Sequence, residues 1–154
     1  MATPLKEGTN ISVEWKHFGV SYAMPSMEMA TDHYSAGFIV SGDRKTITPV
    51  GTYSYSAGDV GLTKPYLYHR TVADSAKPYE RILIKYTPEF IKPFIENMGQ
   101  QVFDEIYEKN VCHFTGKARQ KVMEIFVRME EVYTKDRPYK EFILQGMLFY
   151  LLTV

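Results

Sequence analysis

The chain has 154 residues, 45% of them apolar, which is enough to bury the core of one domain with a helical extension. Lysine and arginine number 18, as do aspartate and glutamate, so the net charge is zero. A duplex-binding face needs excess cations to displace phosphate counterions, so these residues alone are not expected to bind nucleic acid.

Three further features of the sequence exclude other classes of protein. The single cysteine, Cys112, excludes an internal disulfide and a zinc site built on several cysteines. No positively charged start leads into an apolar stretch, so no signal peptide is predicted. The longest apolar run, near the C-terminus, is too short and too interrupted to span a bilayer. The sequence therefore predicts a soluble cytoplasmic protein without a membrane partner.

The first half of the chain has a strand-like pattern, with short runs rich in Tyr, Thr, Val and Ile. Turn sequences separate the runs at Ser41-Gly42-Asp43, Pro49-Val50-Gly51 and Ala57-Gly58-Asp59, where glycine can supply a positive φ. Seven or eight short strands at this spacing predict a sandwich or barrel. The predicted strands are Ile11–Phe18, Val20–Met24, Tyr34–Ser41, Lys45–Pro49, Thr52–Ser56, Val60–Thr63, Tyr68–Ala73 and Arg81–Tyr86.

After Tyr86 the apolar period becomes helical. Thr87-Pro88-Glu89 combines a hydroxyl cap, a proline at the first helical position and an acid in the first turn, which predicts a helix start. This helix should end near Asn97–Gly99, and Gln100–Lys109 should form a second. Thr115 should cap a long third helix, and a fourth should follow Arg137-Pro138.

The fourth predicted helix is apolar around most of its circumference, which is unusual unless it is buried on several sides. The barrel alone is not expected to cover it, so we predict a homodimer. The sequence also stops within an apolar stripe at Leu151–Val154, so we expect the parent protein to continue. The residues predicted at the dimer interface are Ile125, Met129, Phe142, Leu148 and Leu152.

Catalytic and metal chemistry are not supported by the residue pattern. A metal site in a barrel needs several nitrogen and oxygen ligands around one ion, and no His-x-His is present. Asp32 and His33 are adjacent, so on a strand their side chains should point to opposite faces. His69 is expected at the barrel mouth or as a hydrogen-bond donor to a ligand. We therefore predict no catalytic residue, no metal and no cofactor.

An ordered set of motifs covers most of the chain. Asp32–Gly42 reads as an extended hairpin with an Asp-x-Tyr start, an apolar run and Ser-Gly. Gly58–Pro65 holds Gly-Asp, an apolar run and proline, and His69 follows. Tyr86–Phe90 reads Tyr-Thr-Pro-Glu-Phe. Together, in this order and spacing, the motifs resemble the N-terminal domain of the AraC/XylS family of bacterial transcription regulators.

The resemblance implies a fold that is mainly β with C-terminal α: a cupin-like jelly-roll β-barrel followed by about four helices. The barrel would span residues 1–86, with an N-terminal arm at residues 1–18, and a helical dimerisation region would span residues 87–154. A helix-turn-helix DNA-binding domain is implied further along the parent protein.

Two departures from the family's pattern affect the metal positions. Met29-Ala30-Thr31 stands where relatives often carry His-x-His, and Ser35 stands where they carry glutamate. Aligned in this way, three of four metal positions are lost. This agrees with the absence of a ligand set noted above.

We therefore predict an effector-sensing and dimerisation domain whose barrel binds a small polar molecule such as a sugar, because aromatic faces with hydroxyls and a cation suit such ligands. Occupancy would favour one arrangement of the arm or of the C-terminal helices. Because Ser35 stands where relatives carry an inward glutamate, the resemblance and strand alternation together imply that Ser35, Gly37 and Ile39 lie on the inward face. The predicted pocket residues are Tyr22, Ser35, Tyr53, His69 and Arg81, with Trp15 as a lid.

Two other functions remain open from the sequence. One is a metal-dependent cupin enzyme, an isomerase or dioxygenase, which stoichiometric bound metal would indicate. The other is a cupin-like module that binds no ligand and serves only in assembly. A ligand screen separates this second alternative from a sensor.

Overall fold

The computed structural model describes residue 5 and residues 9–19, 27–29, 32–73 and 77–154. Within these residues the chain forms strands in its first half and mostly helices in its second. The strands are β1 (Ile11–Phe18), β2 (Tyr34–Ser41), β3 (Asp43–Thr48), β4 (Gly51–Ser56), β5 (Asp59–Thr63), β6 (Arg70–Ala73), β7 (Tyr79–Tyr86) and β8 (Val111–His113). The helices are α1 (Pro88–Met98), α2 (Gln100–Glu108), α3 (Gly116–Thr134) and α4 (Lys140–Leu152).

The strands make two antiparallel sheets. The large sheet has the order β1-β7-β2-β5-β8, and the small sheet has the order β4-β3-β6. The chain passes between the sheets along its length, and this is the jelly-roll arrangement that the sequence predicts. Two of the predicted turn glycines have positive φ, +85° at Gly42 and +95° at Gly58, so both supply the backbone conformation expected of them.

The large sheet separates two environments because successive side chains on a strand point to opposite faces. One face is hydrocarbon: Ile82, Ile84 and Tyr86 of β7 are fully buried there, each contributing about 1.5–3 kcal/mol of burial free energy. The helices pack on this helix-facing side, as the rings of Phe38 and Phe126 show, with centroids 5.6 Å apart. The other face looks toward the small sheet.

The start of α1 is confirmed in detail. The side-chain oxygen of Thr87 accepts a hydrogen bond from the backbone N–H of Phe90 at 3.3 Å, and Pro88 occupies the first helical position. Thr115 holds the N-cap position of α3 but its side chain makes no capping bond. The last helix begins at Lys140, after Tyr139 in a left-handed conformation, two residues later than Pro138.

Three of the residues predicted at the dimer interface lie in the core of the chain itself. Ile125, Met129 and Leu148 are 8%, 0% and 0% exposed and belong to the core of the chain itself. Their 3-to-4 spacing identifies a buried face but not the surface that buries it, which here is the large sheet and the neighbouring helix. Phe142, at 75% exposure, and the partly exposed Leu152 remain accessible.

Two organisational expectations also change. The segment Ile11–Phe18 is not a separate arm, because all eight residues pair with β7 and Ile11 and Val13 are buried. The helical half contributes β8, which pairs with β5 at the edge of the large sheet and was not predicted. The predicted strand Val20–Met24 lies outside the described residues. Among the residues described, no helix combines the length and apolar character needed to cross a membrane.

Candidate functional site

A cavity of about 380 Å³ lies between the two sheets. Alternation on the strands builds it: the residues of β1, β2 and β7 that point away from the helices point into it. From β2 these are Ser35, Gly37 and Ile39, which confirms the inward face expected from the sequence. A cavity of this size is within the range of small-ligand sites.

Charged side chains concentrate on the wall that the large sheet provides. Lys16, Arg81 and Lys85 line the cavity, together with the carboxylates of Glu14 and Glu28. Burial lowers the pKa of Lys85, and the charge of nearby Arg81 lowers it further, although Glu14 and Asp32 oppose the shift. The cations are therefore close enough to repel one another.

Arg81 is the central cation of this wall. Its guanidinium carbon lies 5.1 Å from the centre of the Phe18 ring. Its Nε is buried and has no hydrogen-bond partner among the described residues. Lys16 stands directly opposite Arg81 in the β1–β7 register, and like charges in directly opposed positions destabilise a strand pair.

Arg44 shows what a structural arginine looks like in the same protein. It is fully buried, and its terminal nitrogens donate to the backbone carbonyls of Asp43, Lys77 and Gly19 at 2.6, 3.3 and 3.2 Å. Its guanidinium carbon also lies 4.6 Å from the ring centre of Tyr79. Arg44 thus ties loops to the small sheet, whereas Arg81 lines the cavity.

The small sheet supplies a wall of hydroxyl groups. The hydroxyl of Thr46 donates to that of Tyr55 at 3.0 Å, and Thr48 donates to the carbonyl of Gly51 at 2.8 Å. The hydroxyls that line the cavity from this sheet belong to Thr46, Thr48, Tyr53, Tyr55 and Thr71. The two walls therefore differ in chemistry, one cationic and the other rich in hydroxyls.

His33 and Asp32 do not point apart as expected. They precede β2, so strand alternation does not apply, and His33 Nδ1 lies 2.7 Å from Asp32 Oδ1. Burial lowers the pKa of His33, although the hydrogen bond with Asp32 opposes the shift. In the described ranges, no three His, Cys, Asp or Glu side chains are grouped closely enough to hold a metal ion.

The structure brings four of the predicted pocket residues together: Ser35, Tyr53, His69 and Arg81 all line the cavity. Trp15 does not join them, because its strand position faces the other side of the sheet. Its Nε1–H donates to Glu80 Oε2 at 2.6 Å, outside the cavity. Tyr22 lies outside the described residues.

Sequence reasoning missed Lys16 and Lys85. Both were readable from alternation, since Lys85 lies four residues after Arg81 on the same strand face and Lys16 lies two before Phe18. The hydroxyls of β3 carried a weaker signal, because threonine is common on any strand.

A buried hydrogen-bond chain connects the cavity wall to α2. The hydroxyl of Tyr107 donates to the backbone carbonyl of Ser35 at 3.3 Å, and its oxygen lies 2.5 Å from the hydroxyl of Tyr86. Since Tyr107 has one proton, Tyr86 is the donor in the second bond. Burial raises the pKa of both phenols, so they remain protonated.

Comparison with solved structures places this fold among known ones. The chain superposes on apo ToxT from Vibrio cholerae with a TM-score of 0.64 at 14% identity, covering 95% of this chain and 55% of that one. ToxT bound to (E)-4-(8-methylnaphthalen-1-yl)but-3-enoic acid gives a TM-score of 0.58 at 13% identity, covering 94% and 57%. A cupin protein from Bacteroides fragilis gives 0.47 at 19% identity, covering 52% and 68%.

The likeness to ToxT establishes the fold, and this chain spans about half the length of the ToxT chains it matches. No protein-family model matches the sequence, and no curated protein matches it.

The tyrosine chain predicts an order of stabilities. Tyr107→Phe leaves the buried hydroxyl of Tyr86 without an acceptor, so the free energy of unfolding should fall by about 1–3 kcal/mol. Tyr86→Phe leaves Tyr107 still bonded to Ser35, so the loss should be about 0.5–1.5 kcal/mol. Urea unfolding followed by circular dichroism measures both. An equal or larger loss for Tyr86→Phe would show that the chain is not connected in this direction.

Proposed function

We propose that this chain is the effector-sensing and dimer-forming part of an AraC-type bacterial transcription regulator, and that it is not an enzyme. The observation that carries the proposal is the cavity between the sheets, lined by Ser35, Tyr53, His69 and Arg81 and backed by helices on the other side of its wall. Concave sites with a few convergent polar groups are the usual form of small-molecule sites.

The comparison with ToxT supports this proposal. ToxT is an AraC-family regulator, and one of its structures holds a small organic acid. Its fold covers nearly all of this chain, both the sheets and the helices. In the parent of this chain, the DNA-binding domain would follow the helices, so that DNA is contacted only through that domain.

A route for the signal is built into the cavity wall. Ser35 lines the cavity, and its backbone carbonyl holds Tyr107 of α2, which in turn binds Tyr86. A ligand that moves β2 therefore changes the position of α2 on the sheet. If the protein has two such arrangements and the ligand binds one of them more tightly, occupancy shifts the helices toward that arrangement.

The proposed dimer surface is the part of α4 that the chain does not cover. Phe142 and Tyr150 are 75% and 49% exposed, although Leu144 and Leu148 on the same helix are fully buried. Beside the end of α4, an apolar groove of about 560 Å³ is lined by Leu152 and neighbouring side chains. Exposed apolar surface of this kind is typical of protein interfaces.

A ligand screen tests the sensing function. A cavity binder present at 100 times its dissociation constant should stabilise the fold by about 2.7 kcal/mol, which raises the melting temperature by several degrees. Differential scanning fluorimetry with sugars, organic acids and other polar metabolites measures this shift. If a broad panel produces none, the chain is an assembly module and not a sensor.

The dimer surface is tested with Phe142→Asp. A charge in the buried centre of an interface should raise the dimer dissociation constant at least about tenfold. Sedimentation equilibrium measures this constant, and Val50→Asp is the matched control, since Val50 is 82% exposed in the turn between β3 and β4. A monomeric parent chain, or equal effects from both variants, would remove this surface from the proposal.

A further inference from the structure

We infer that the cavity selects a hydroxylated organic acid with a single negative charge, such as a sugar acid, and that Arg81 binds its carboxylate. This inference rests on the effector-sensing function proposed above and narrows its ligand. It excludes both a neutral sugar and a hydrocarbon acid as the preferred effector.

Arg81 has unmet hydrogen-bonding capacity. Its Nε is buried without a hydrogen-bond partner among the described residues. The Nε of Arg44 is unpartnered too, but the terminal nitrogens of Arg44 reach three carbonyls. A buried donor without an acceptor is unfavourable, and a carboxylate that accepts two parallel N–H bonds satisfies a guanidinium best. The side chain therefore lacks the kind of group that an acidic ligand supplies.

The lining of the cavity contains more cations than carboxylates. Its cations are Lys16, Arg81 and Lys85, and its carboxylates are Glu14 and Glu28. Asp32, which is bonded to His33 in the lining, partly offsets the charge at Lys85. Lys16 and Arg81 are directly opposed across β1 and β7, where like charges repel. A bound carboxylate relieves that repulsion, whereas a neutral ligand does not.

The small sheet determines which ligand body the cavity can accept. Across the cavity from Arg81, the small sheet presents five hydroxyl side chains, Tyr53 and Tyr55 among them. Only six of the 24 lining residues have hydrocarbon side chains. These are Phe18, Ile39, Leu62, Leu67, Leu83 and Val111. These hydroxyls can each make more than one hydrogen bond, so a polyhydroxylated body can bond to them in addition to their partners in the protein, whereas a long alkyl chain cannot.

Isothermal titration calorimetry of the whole chain tests the selection. The probes are hexuronic and aldonic acids, the corresponding neutral hexoses, hexose phosphates, and straight-chain acids of six to ten carbons. We expect at least one sugar acid to bind, and its neutral counterpart to bind about 10- to 100-fold more weakly, as for loss of a hydrogen bond to a charged group. Phosphates and straight-chain acids should also bind more weakly than the best sugar acid.

Variants identify the group responsible. Arg81→Gln should weaken binding of the sugar acid about 10- to 100-fold. The variant should bind the neutral hexose as weakly as the unchanged chain does. Lys16→Gln, at an exposed position, should fold normally and weaken acid binding by a smaller factor. Arg128→Gln is the matched control, because Arg128 is exposed on α3 away from the cavity, and it should have no effect.

The outcomes separate this inference from the function beneath it. If a hexose and its acid bind equally, or if Arg81→Gln binds the acid as the unchanged chain does, the selection of an acidic ligand is wrong. The effector-sensing function is not affected by either result. If straight-chain acids bind more tightly, the claim that the ligand is hydroxylated is wrong. If phosphates bind more tightly, the claim that it carries a single negative charge is wrong. If no probe binds but the broader metabolite screen finds a ligand, only this inference fails. If neither finds one, the sensing function fails as well.

Discussion

The structure depends on the two-sided character of the large sheet. On β7, Ile82, Ile84 and Tyr86 point to the helices, and Arg81, Leu83 and Lys85 point to the cavity. Strand alternation enforces this division, so a one-residue change of register would expose the core and bury the cations. One sheet thus anchors the helices by hydrocarbon burial and lines a polar site with the same strands. The proposed sensing function needs both properties at once.

The connection between these two sides is short. The backbone of Ser35 belongs to the cavity wall, and the phenol of Tyr107 belongs to the helical layer, so a single hydrogen bond joins them. Around it, Tyr34 stacks on Tyr86 with ring centroids 5.6 Å apart and meets Phe103 edge to face with centroids 5.0 Å apart. Tight aromatic packing adjusts in discrete steps more than by continuous deformation. Small movements of β2 are therefore expected to change the position of α2.

Much of the fold was readable from the sequence because its signals are local. The turn glycines Gly42 and Gly58, the Thr87 cap and the alternation through Ser35 each depend on a few neighbouring residues. The strand β8 was missed because three residues are too few to show a period. The burial of Met129 and Leu148 within the chain was not predicted, because a periodic apolar stripe does not reveal which surface covers it. The charge imbalance around Arg81 required β1 and β7 to be placed side by side, which only the fold supplies.

If the proposed function is right, the cavity between the sheets holds a small molecule when the protein works in the cell. Native mass spectrometry of the protein, isolated from its own cells without denaturation, would detect that molecule. If the cavity is a sensing site, the spectrum will show a bound small organic molecule that is released when the protein unfolds. A protein that carries no such mass while it responds normally in the cell would show that the cavity is not the sensing site.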